Sequence, residues 1–384
     1  MSSLPALLIG GPPHRGKSVL SYILSKRLKT RHVDHYLIRI TPDAEGNWYY
    51  EGNFAHTSQL RNAHKRAWDE AFELSQSQIL ENRPLPLLVD GGGQPTDSQV
   101  EELFGKCSHA LLLCASEAEF VQWRQIAARA GLPVVGEVTS SLSGQDRLMS
   151  ERPLRLRLTG LCRENLRIVE PDQPVWQALF ERVEATIQRS PEQLWDVHCA
   201  NRPEGTLAIH CDAWLRQARP DSAGRWEYSD LPALLASLPT GQPLALYAAK
   251  AQWLATALAL RSRAPITLFD ARLGWLPLPT LRPSDDHQLW KAMMQQTGQW
   301  PRLDIVLSAT HLDYAPILAG PLPDVPADGL VLGGKGPHWL FAAIARHYAK
   351  QGKAIAFYLP REERGLVVHG ADVGQMVALQ TRIG

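Results

Sequence analysis

Gly329-Leu330-Val331-Leu332-Gly333-Gly334-Lys335-Gly336-Pro337-His338-Trp339-Leu340 is the stretch that decides how this chain folds. A short apolar run leads into a glycine-rich segment. A helical pattern then continues through Tyr348, and a second apolar run follows at residues 354–359. The order is strand, turn, helix, strand. Glycines let the backbone approach a ligand closely, and N–H groups converging at a helix N-terminus favour an anion. The reading is an α/β unit with an anion-binding turn at Gly333, Gly334, Lys335 and Gly336.

The same order occurs once more, upstream. Pro243-Leu244-Ala245-Leu246-Tyr247 reads as a strand, Lys250-Ala251-Gln252-Trp253-Leu254 opens a helix, and Pro265-Ile266-Thr267-Leu268-Phe269-Asp270 is a second strand. Trp253 then corresponds to Trp339, Leu254 to Leu340 and Leu258 to Ile344. Strands at residues 205–210 and 303–307 precede the two copies. Two copies argue for a fused pseudo-dimer rather than a solenoid. Residues 284–300, with Leu289, Trp290, Met293 and Met294 at helical spacing, predict a helix joining the copies. Trp253 and Trp339, each at the start of an amphipathic helix, are expected in the core.

The N-terminal part carries a different signal. Gly11-Pro12-Pro13-His14-Arg15-Gly16-Lys17-Ser18 fits the phosphate-loop pattern GxxxxGK[ST]. An apolar strand at residues 4–9 precedes it, and a helix with Val19, Leu20, Ile23, Leu24 and Leu28 follows. The pattern predicts ATP with Mg²⁺: Gly11 and Gly16 let the loop wrap phosphate, Lys17 meets the β- and γ-phosphates, and Ser18 ligates the metal. Asp90, which ends the apolar run at residues 85–89 and precedes Gly91-Gly92-Gly93, is the expected second metal ligand. No glutamate follows Asp90, so nucleotide binding is expected while hydrolysis has no named residue.

Alternating segments at residues 36–40, 57–81, 110–114, 117–130 and 133–138 predict a three-layer parallel sheet. Asp34, His35, His56, Arg61 and His64 are read as a solvated face, the alternative being a second substrate site of a nucleotide kinase. Arg147, Arg152, Arg155 and Arg157 form the most basic run, expected on an edge strand or a surface facing a partner. A helix at residues 173–188 closes the domain, and Ser190-Pro191 marks a boundary. The expected organisation is a phosphate-loop domain at 1–193 and two Rossmann-like α/β domains at 194–300 and 301–384.

Composition bounds the partners. The 384 residues are 45% hydrophobic and 21% charged, with a formal charge of +1. That balance argues against bulk capture of long nucleic acid and leaves any polyanion to a local patch. The five cysteines form no CxxC pair and no zinc spacing. With no signal peptide and no apolar run near the ~18 residues of a membrane span, the expectation is a cytoplasmic protein with no membrane partner.

The string Gly-Lys-Gly-Pro-x-Trp-Leu at residues 334–340, together with Asp270-Ala271-Arg272-Leu273-Gly274, resembles the CRISPR-associated ring nucleases that linearise cyclic tetra-adenylate in type III CRISPR immunity. The resemblance covers residues near 240–280 and 325–372. It implies a prokaryotic enzyme that binds the ring through Gly333, Gly334, Lys335, Gly336 and Arg361. The catalytic residues it implies are Asp270, Arg272, Lys335 and His369. It also implies manganese for RNA cleavage, and a homo-oligomer in which subunits sandwich the ring between two faces.

The departures are informative. The Asp-x-Arg-Leu-Gly motif stands only in the first copy, and the second reads Pro360-Arg361-Glu362-Glu363-Arg364-Gly365. The glycine-rich turn stands only in the second copy, and the first reads Tyr247-Ala248-Ala249-Lys250. Each copy keeps what the other has lost, which implies one composite site per chain. Gly333 replaces the family's small hydroxyl residue, and Ala349 stands where the family carries a histidine. A receptor that holds the ring without cutting it, with the phosphate-loop domain as output, is the alternative. A nucleoside or small-molecule kinase is a third reading.

Overall fold

The computed structural model describes residues 4–40, 70–162, 173–220, 227–249, 251–284, 289–308, 312 and 314–379. The chain divides into two units, Met1–Val197 and His198–Gly384. The segment 194–197, read as the start of the second domain, falls in the first unit, where Leu194 packs with Leu4 and Leu85.

In the first unit the apolar strand β1 (Ala6–Gly10) leads through the GxxxxGK[ST] loop into α1 (Lys17–Thr30). There follow β2 (Tyr36–Arg39), α2 (Glu70–Glu81), β3 (Leu87–Asp90), α3 (Asp97–Glu102), β4 (His109–Cys114), α4 (Glu117–Arg129) and β5 (Val134–Ser141). A hairpin of β6 (Arg147–Glu151) and β7 (Leu154–Thr159), then α5 (Pro174–Ile187) and α6 (Pro191–Ala200), complete it. The strands lie in the order β2-β3-β1-β4-β5-β7-β6, parallel except for β6.

Strands β1, β3 and β4 are apolar along nearly their whole length because both faces are covered, as parallel sheets require. Leu7, Ile9 and Leu88 pack with residues of α1 and α5 on one face. Leu8, Val89 and Leu112 pack with α4 on the other. The residues of the 57–81 segment before Glu70, with His56, Arg61 and His64, lie outside the described residues. The Arg-Leu alternation of residues 152–157 is not the sheet edge. It lies in β7, one strand inside, with Leu154, Leu156 and Leu158 buried and the arginines outward, and β6 forms the edge.

The second unit contains β8 (Leu207–His210), α7 (Cys211–Ala218), α8 (Leu231–Ser237), β9 (Leu244–Tyr247), α9 (Gln252–Arg261), β10 (Ile266–Asp270), β11 (Gly274–Pro277) and β12 (Thr280–Pro283). It continues with β13 (Trp290–Gln295), β14 (Arg302–Leu307), β15 (Ile317–Gly320), β16 (Gly329–Lys335), α10 (His338–Ala349), β17 (Ala354–Leu359), β18 (Arg364–His369) and β19 (Met376–Ala378). One sheet runs β8-β9-β10-β11, a second runs β13-β14-β16-β17-β18-β19, and β12 pairs with β15 in a small parallel sheet of two strands. In the first two, three parallel strands are closed by an antiparallel one: β8, β9, β10 with β11, and β14, β16, β17 with β18. The duplication read in the sequence is thus repeated in the strand order.

The two larger sheets share one core. Trp253, Leu254 and Leu258 of α9 and Trp339, Leu340 and Ile344 of α10 are all buried in a single cluster with both sheets. Gln252 Nε2 donates to the Gly336 carbonyl at 2.7 Å at one end of the helix pair, and Arg346 Nη2 donates to the Ser262 carbonyl at 3.3 Å at the other. The helices therefore run side by side in the same direction.

Among the described residues of 284–300 the predicted helix is not formed. Residues 290–295 are strand β13, antiparallel to β14. Trp290, Ala292 and Met294 face the core, while Met293 is exposed. The apolar positions that suit a helical period also suit a period of two, and the open edge of β14 selects the strand. Trp339→Ala should destabilise the protein by about 3–5 kcal/mol. A urea titration followed by circular dichroism, showing the melting midpoint lowered at unchanged slope, checks this.

Candidate functional site

Two sites emerge, one in each unit, both at the carboxyl ends of parallel strands, where open α/β sheets bind ligands. In the first unit the phosphate loop is held by contacts that only glycine permits. A Cβ on Gly11 would lie 1.9 Å from the Leu113 carbonyl oxygen. Gly16, with φ +83°, caps α1, and a Cβ there would meet Leu161 at 2.6 Å. Arg15 pairs with Glu119, and Ser140 Oγ donates to the Arg15 carbonyl at 2.9 Å, tying the loop to α4 and β5.

Lys17 is buried and its Nζ donates to the Pro12 carbonyl at 2.8 Å. Burial pushes its amine down from 10.5 to about 8, against the opposing pull of Asp90. Asp90 ends β3, which lies directly beside β1 with Ile9 opposite it. Its Oδ2 accepts from Arg39 Nε at 2.7 Å. The loop amides, Lys17, half-buried Ser18 at the first turn of α1, and Asp90 on the next strand make a donor set that fits a magnesium nucleotide. His35 is a structural residue. It is buried between Ser25 Oγ at 2.9 Å and the Val33 carbonyl at 2.8 Å.

In the second unit the parallel alignment of α9 and α10 brings the turns of the two copies together. His338, at the start of α10, hydrogen-bonds the Ala249 carbonyl of the other copy and feels the negative charge of Asp270. Gln252, the equivalent position in α9, reaches the Gly336 carbonyl in return. The residue before each tryptophan thus crosses to the opposite turn. Burial lowers the His338 pKa from 6.5, partly offset by the Ala249 bond and Asp270. Asp270 Oδ1 accepts from the N–H groups of Arg272 at 2.8 Å and Leu273 at 3.2 Å, which fixes the Asp-x-Arg turn. Arg272 Nη2 donates to the Leu312 carbonyl at 2.5 Å. Lys250 lies outside the described residues.

The anion turn is shorter than the sequence suggests. β16 continues through Lys335, so Gly333 and Gly334 lie within a strand, opposite Asp304 and Ile305. A Cβ on Gly333 would meet Asp304 Oδ1 at 2.3 Å, and one on Gly334, with φ +105°, would meet the Ile305 carbonyl at 2.1 Å. Gly333 makes room for the buried Asp304, which Arg302 and Gln295 hydrogen-bond, and Gly334 for the Ile305 backbone. The turn itself is Gly336-Pro337. Lys335 is exposed at the end of β16, and Arg361 is exposed just beyond β17, at the same end of the sheet.

His369 is not brought to this end. It pairs with Ile355 near the start of β17, whereas Arg364 pairs with Leu359 at its finish. Four strand steps, about 13 Å, separate those levels. His369 instead lines a cleft of about 610 Å³ with Arg261, Arg263, Leu235 and Val368. Burial lowers its pKa from 6.5. His347, beside Tyr348 in the last turn of α10, contacts Gln351 at 3.0 Å and lies at the other end of the helix from His338.

Manganese finds little support. Among the described residues no group of three or more His, Cys, Asp or Glu side chains comes together. Asp270 with His338 in its electrostatic reach is a poor donor set for a hard cation, and no step is routed through one. Arg39, Gln252 and His338 are the site residues that the sequence reading missed. Setting the two copies in register on their tryptophans would have marked Gln252 and His338 as equivalent positions.

Residues 308–378 match the model of a CRISPR-associated protein family, Cas_csx3. No curated protein matches the chain. Among solved structures, apo McdA from Cyanthece is 13% identical, with a TM-score of 0.27 over 37% of this chain and 75% of that one. The septum site-determining protein MinD complexed with Mg-ADP, from Pyrococcus horikoshii OT3, is 12% identical, with a TM-score of 0.30 over 47% of this chain and 95% of that one. No helix among the described residues is long and apolar enough to cross a membrane.

The depressed Lys17 gives nucleotide binding a pH signature. Phosphate raises the amine's pKa above its free value of about 8. Below that pH the amine is protonated with or without nucleotide, and affinity is flat. As pH rises through it, binding must take up a proton, and affinity falls by up to about tenfold per pH unit. Titration with the fluorescent analogue mant-ADP at about pH 7, 8 and 9 checks this, and a flat profile would remove Lys17 from the phosphate site.

Proposed function

We propose that this protein binds cyclic tetra-adenylate at the paired turns of its second unit and linearises it, with ATP at the phosphate loop controlling assembly or activity. The observation that carries the reading is the reciprocal contact of the two copies. It sets the Gly336–His338 helix start of one copy against Ala249 and Gln252 of the other, with His338 within the electrostatic reach of Asp270. The match of residues 308–378 to a CRISPR-associated family supports the biological setting.

The chemistry asks for modest machinery. RNA supplies its own nucleophile, the 2′-hydroxyl, so the site must align that oxygen with the leaving oxygen and neutralise developing phosphorane charge. The N-termini of α9 and α10 lie at the same end of the helix pair, and Lys335, Arg361 and Arg272 stand at or just beyond the carboxyl ends of strands β16, β17 and β10. His338, held neutral near pH 7 by its lowered pKa, is suited to accept the hydroxyl proton. Asp270 positions the turn that carries Arg272.

The expected sandwich of subunits gives His369 a place. Its cleft, at the opposite end of the sheet, would face a ring held on the turns of another copy. The second reading is the receptor that holds the ring intact. It is favoured by Ala349 at the family's histidine position and by the distance of His369 from Lys335 within one chain.

Purified protein incubated with radiolabelled cyclic tetra-adenylate, with Mn²⁺ or EDTA and with or without ATP, should yield linear product. Removing Arg272 or Lys335 by alanine substitution should slow cleavage by about 10²-fold or more, as loss of a charge-stabilising donor does. Tight binding with an intact ring would establish the receptor instead, and neither binding nor cleavage would sink both readings.

A further inference from the structure

We propose that Ser140 and Glu119 are positioning residues for the nucleotide: they hold the Arg15–Gly16 peptide so that the Gly16 N–H is presented to phosphate before a ligand arrives. The inference rests on the reading of the phosphate loop as a nucleotide site. The two halves of that loop are held by different means. Backbone wedges the first half: a Cβ on Gly11 would lie 1.9 Å from the Leu113 carbonyl oxygen, and one on Gly93 would lie 2.5 Å from the Pro13 nitrogen. The second half depends on side chains. Ser140 Oγ, near the end of β5, donates to the Arg15 carbonyl at 2.9 Å. Glu119, in the first turn of α4, takes the Arg15 guanidinium on both oxygens, Nη2 at 2.5 Å and Nε at 3.1 Å. The Ala115 N–H, donating at 2.8 Å, fixes that carboxylate in turn.

Gly16 is the reason such a hold is needed. A Cβ there would meet Leu161 at 2.6 Å, so the position has room for glycine alone. Glycine adopts positive and negative φ about equally well, and the φ of +83° at Gly16 is only one of the values it accepts. Turning the Arg15–Gly16 peptide over exchanges positive φ for negative at little intrinsic cost. The peptide is trans, so its carbonyl and its N–H point in opposite directions. With the carbonyl fastened to β5, the N–H is aimed the other way, and the amides of such a loop are the groups that wrap phosphate. Glu119 adds a second hold, because a bidentate pair fixes direction as well as distance. Its side chain and that of Arg15 are 22% and 34% exposed, and an ion pair so wetted contributes little to stability. What the pair supplies is orientation.

The full chain is compared with Ser140→Ala, Ser140→Thr and Glu119→Gln by stopped-flow mixing with mant-ADP and Mg²⁺. Where only the presented orientation binds, apparent affinity falls by the fraction of molecules that hold it. Ser140→Ala should weaken binding about tenfold, as when about one molecule in ten presents the N–H. The loss should lie in the association rate with dissociation unchanged, because the bound peptide is the same in both proteins. Ser140→Thr keeps the hydroxyl and should bind within about threefold of wild type. Glu119→Gln should show a smaller loss in the same rate.

A loss carried by faster dissociation marks a group that contacts the nucleotide itself, and that result overturns the proposal. Ser140→Thr as weak as Ser140→Ala overturns it too. Circular dichroism shows whether each variant is folded. If Ser140→Ala is not, Glu119→Gln decides, and a wild-type association rate overturns. Wild-type protein that binds no mant-ADP overturns the nucleotide reading and the inference with it. Normal binding by wild type with unaltered rates in Ser140→Ala and Glu119→Gln overturns the inference alone.

Discussion

The second unit depends on the packing of α9 against α10 in the same direction. Two tryptophans and the leucine and isoleucine rows beneath them remove the facing sides of both helices from water and join two half-sheets into one core. Side-by-side alignment also has an electrostatic consequence. It puts two positive helix ends at one place, an arrangement that gains stability from an anion. Within the chain, the Ala249 and Gly336 carbonyls partly meet that need by accepting from His338 and Gln252. The same contacts lock the turns of the two copies at a fixed separation.

The two copies carry different groups at equivalent ends. The first copy keeps the Asp270 turn, tightened by backbone N–H groups, and the second keeps the Lys335-Gly336-Pro337 strand end. The second half-sheet has also grown outward, with β13 added beside β14 and β19 beside β18. The cluster of Arg302, Asp304 and Gln295 explains Gly333, and the Ile305 backbone explains Gly334, two glycines that look like ligand-binding residues in the linear string. Arg302 lies 3.5 Å over the Tyr358 ring, so the aspartate is enclosed by a cation that is itself held by an aromatic face.

The first unit is governed by strand order. Because β3 lies directly beside β1, the carboxylate at its end reaches the phosphate loop without an intervening strand, and β2 carries Arg39 to the same carboxylate. Buried charge accumulates here by design of the sheet: Lys17, Asp90 and Arg39 stand at the ends of adjacent elements.

Much of this was legible in residue order. The phosphate loop was readable because its glycines, lysine and serine occur at fixed spacing between an apolar strand and a helix. The duplication was readable because two Trp-Leu pairs recur in the same context, and Asp90 and Asp270 end the strands read from their apolar runs, whereas Lys335, read in a turn, closes a strand. Tertiary structure alone decided the rest. Residues 290–295 became a strand because an open edge of β14 was there to pair with, a fact not encoded in their local spacing. Gly333 and Gly334 serve close strand packing because Asp304 and Ile305 lie opposite them. His369 left the expected site because an antiparallel return carries the end of β18 back to the start of β17. The pairs His338 with Ala249 and Arg39 with Asp90 join residues far apart in the chain, and only the register of the helices and strands sets them within reach. Sequence by itself determined which local elements form and which chemical groups they carry; the packing of those elements determined which groups meet, because contact is a property of register and not of order.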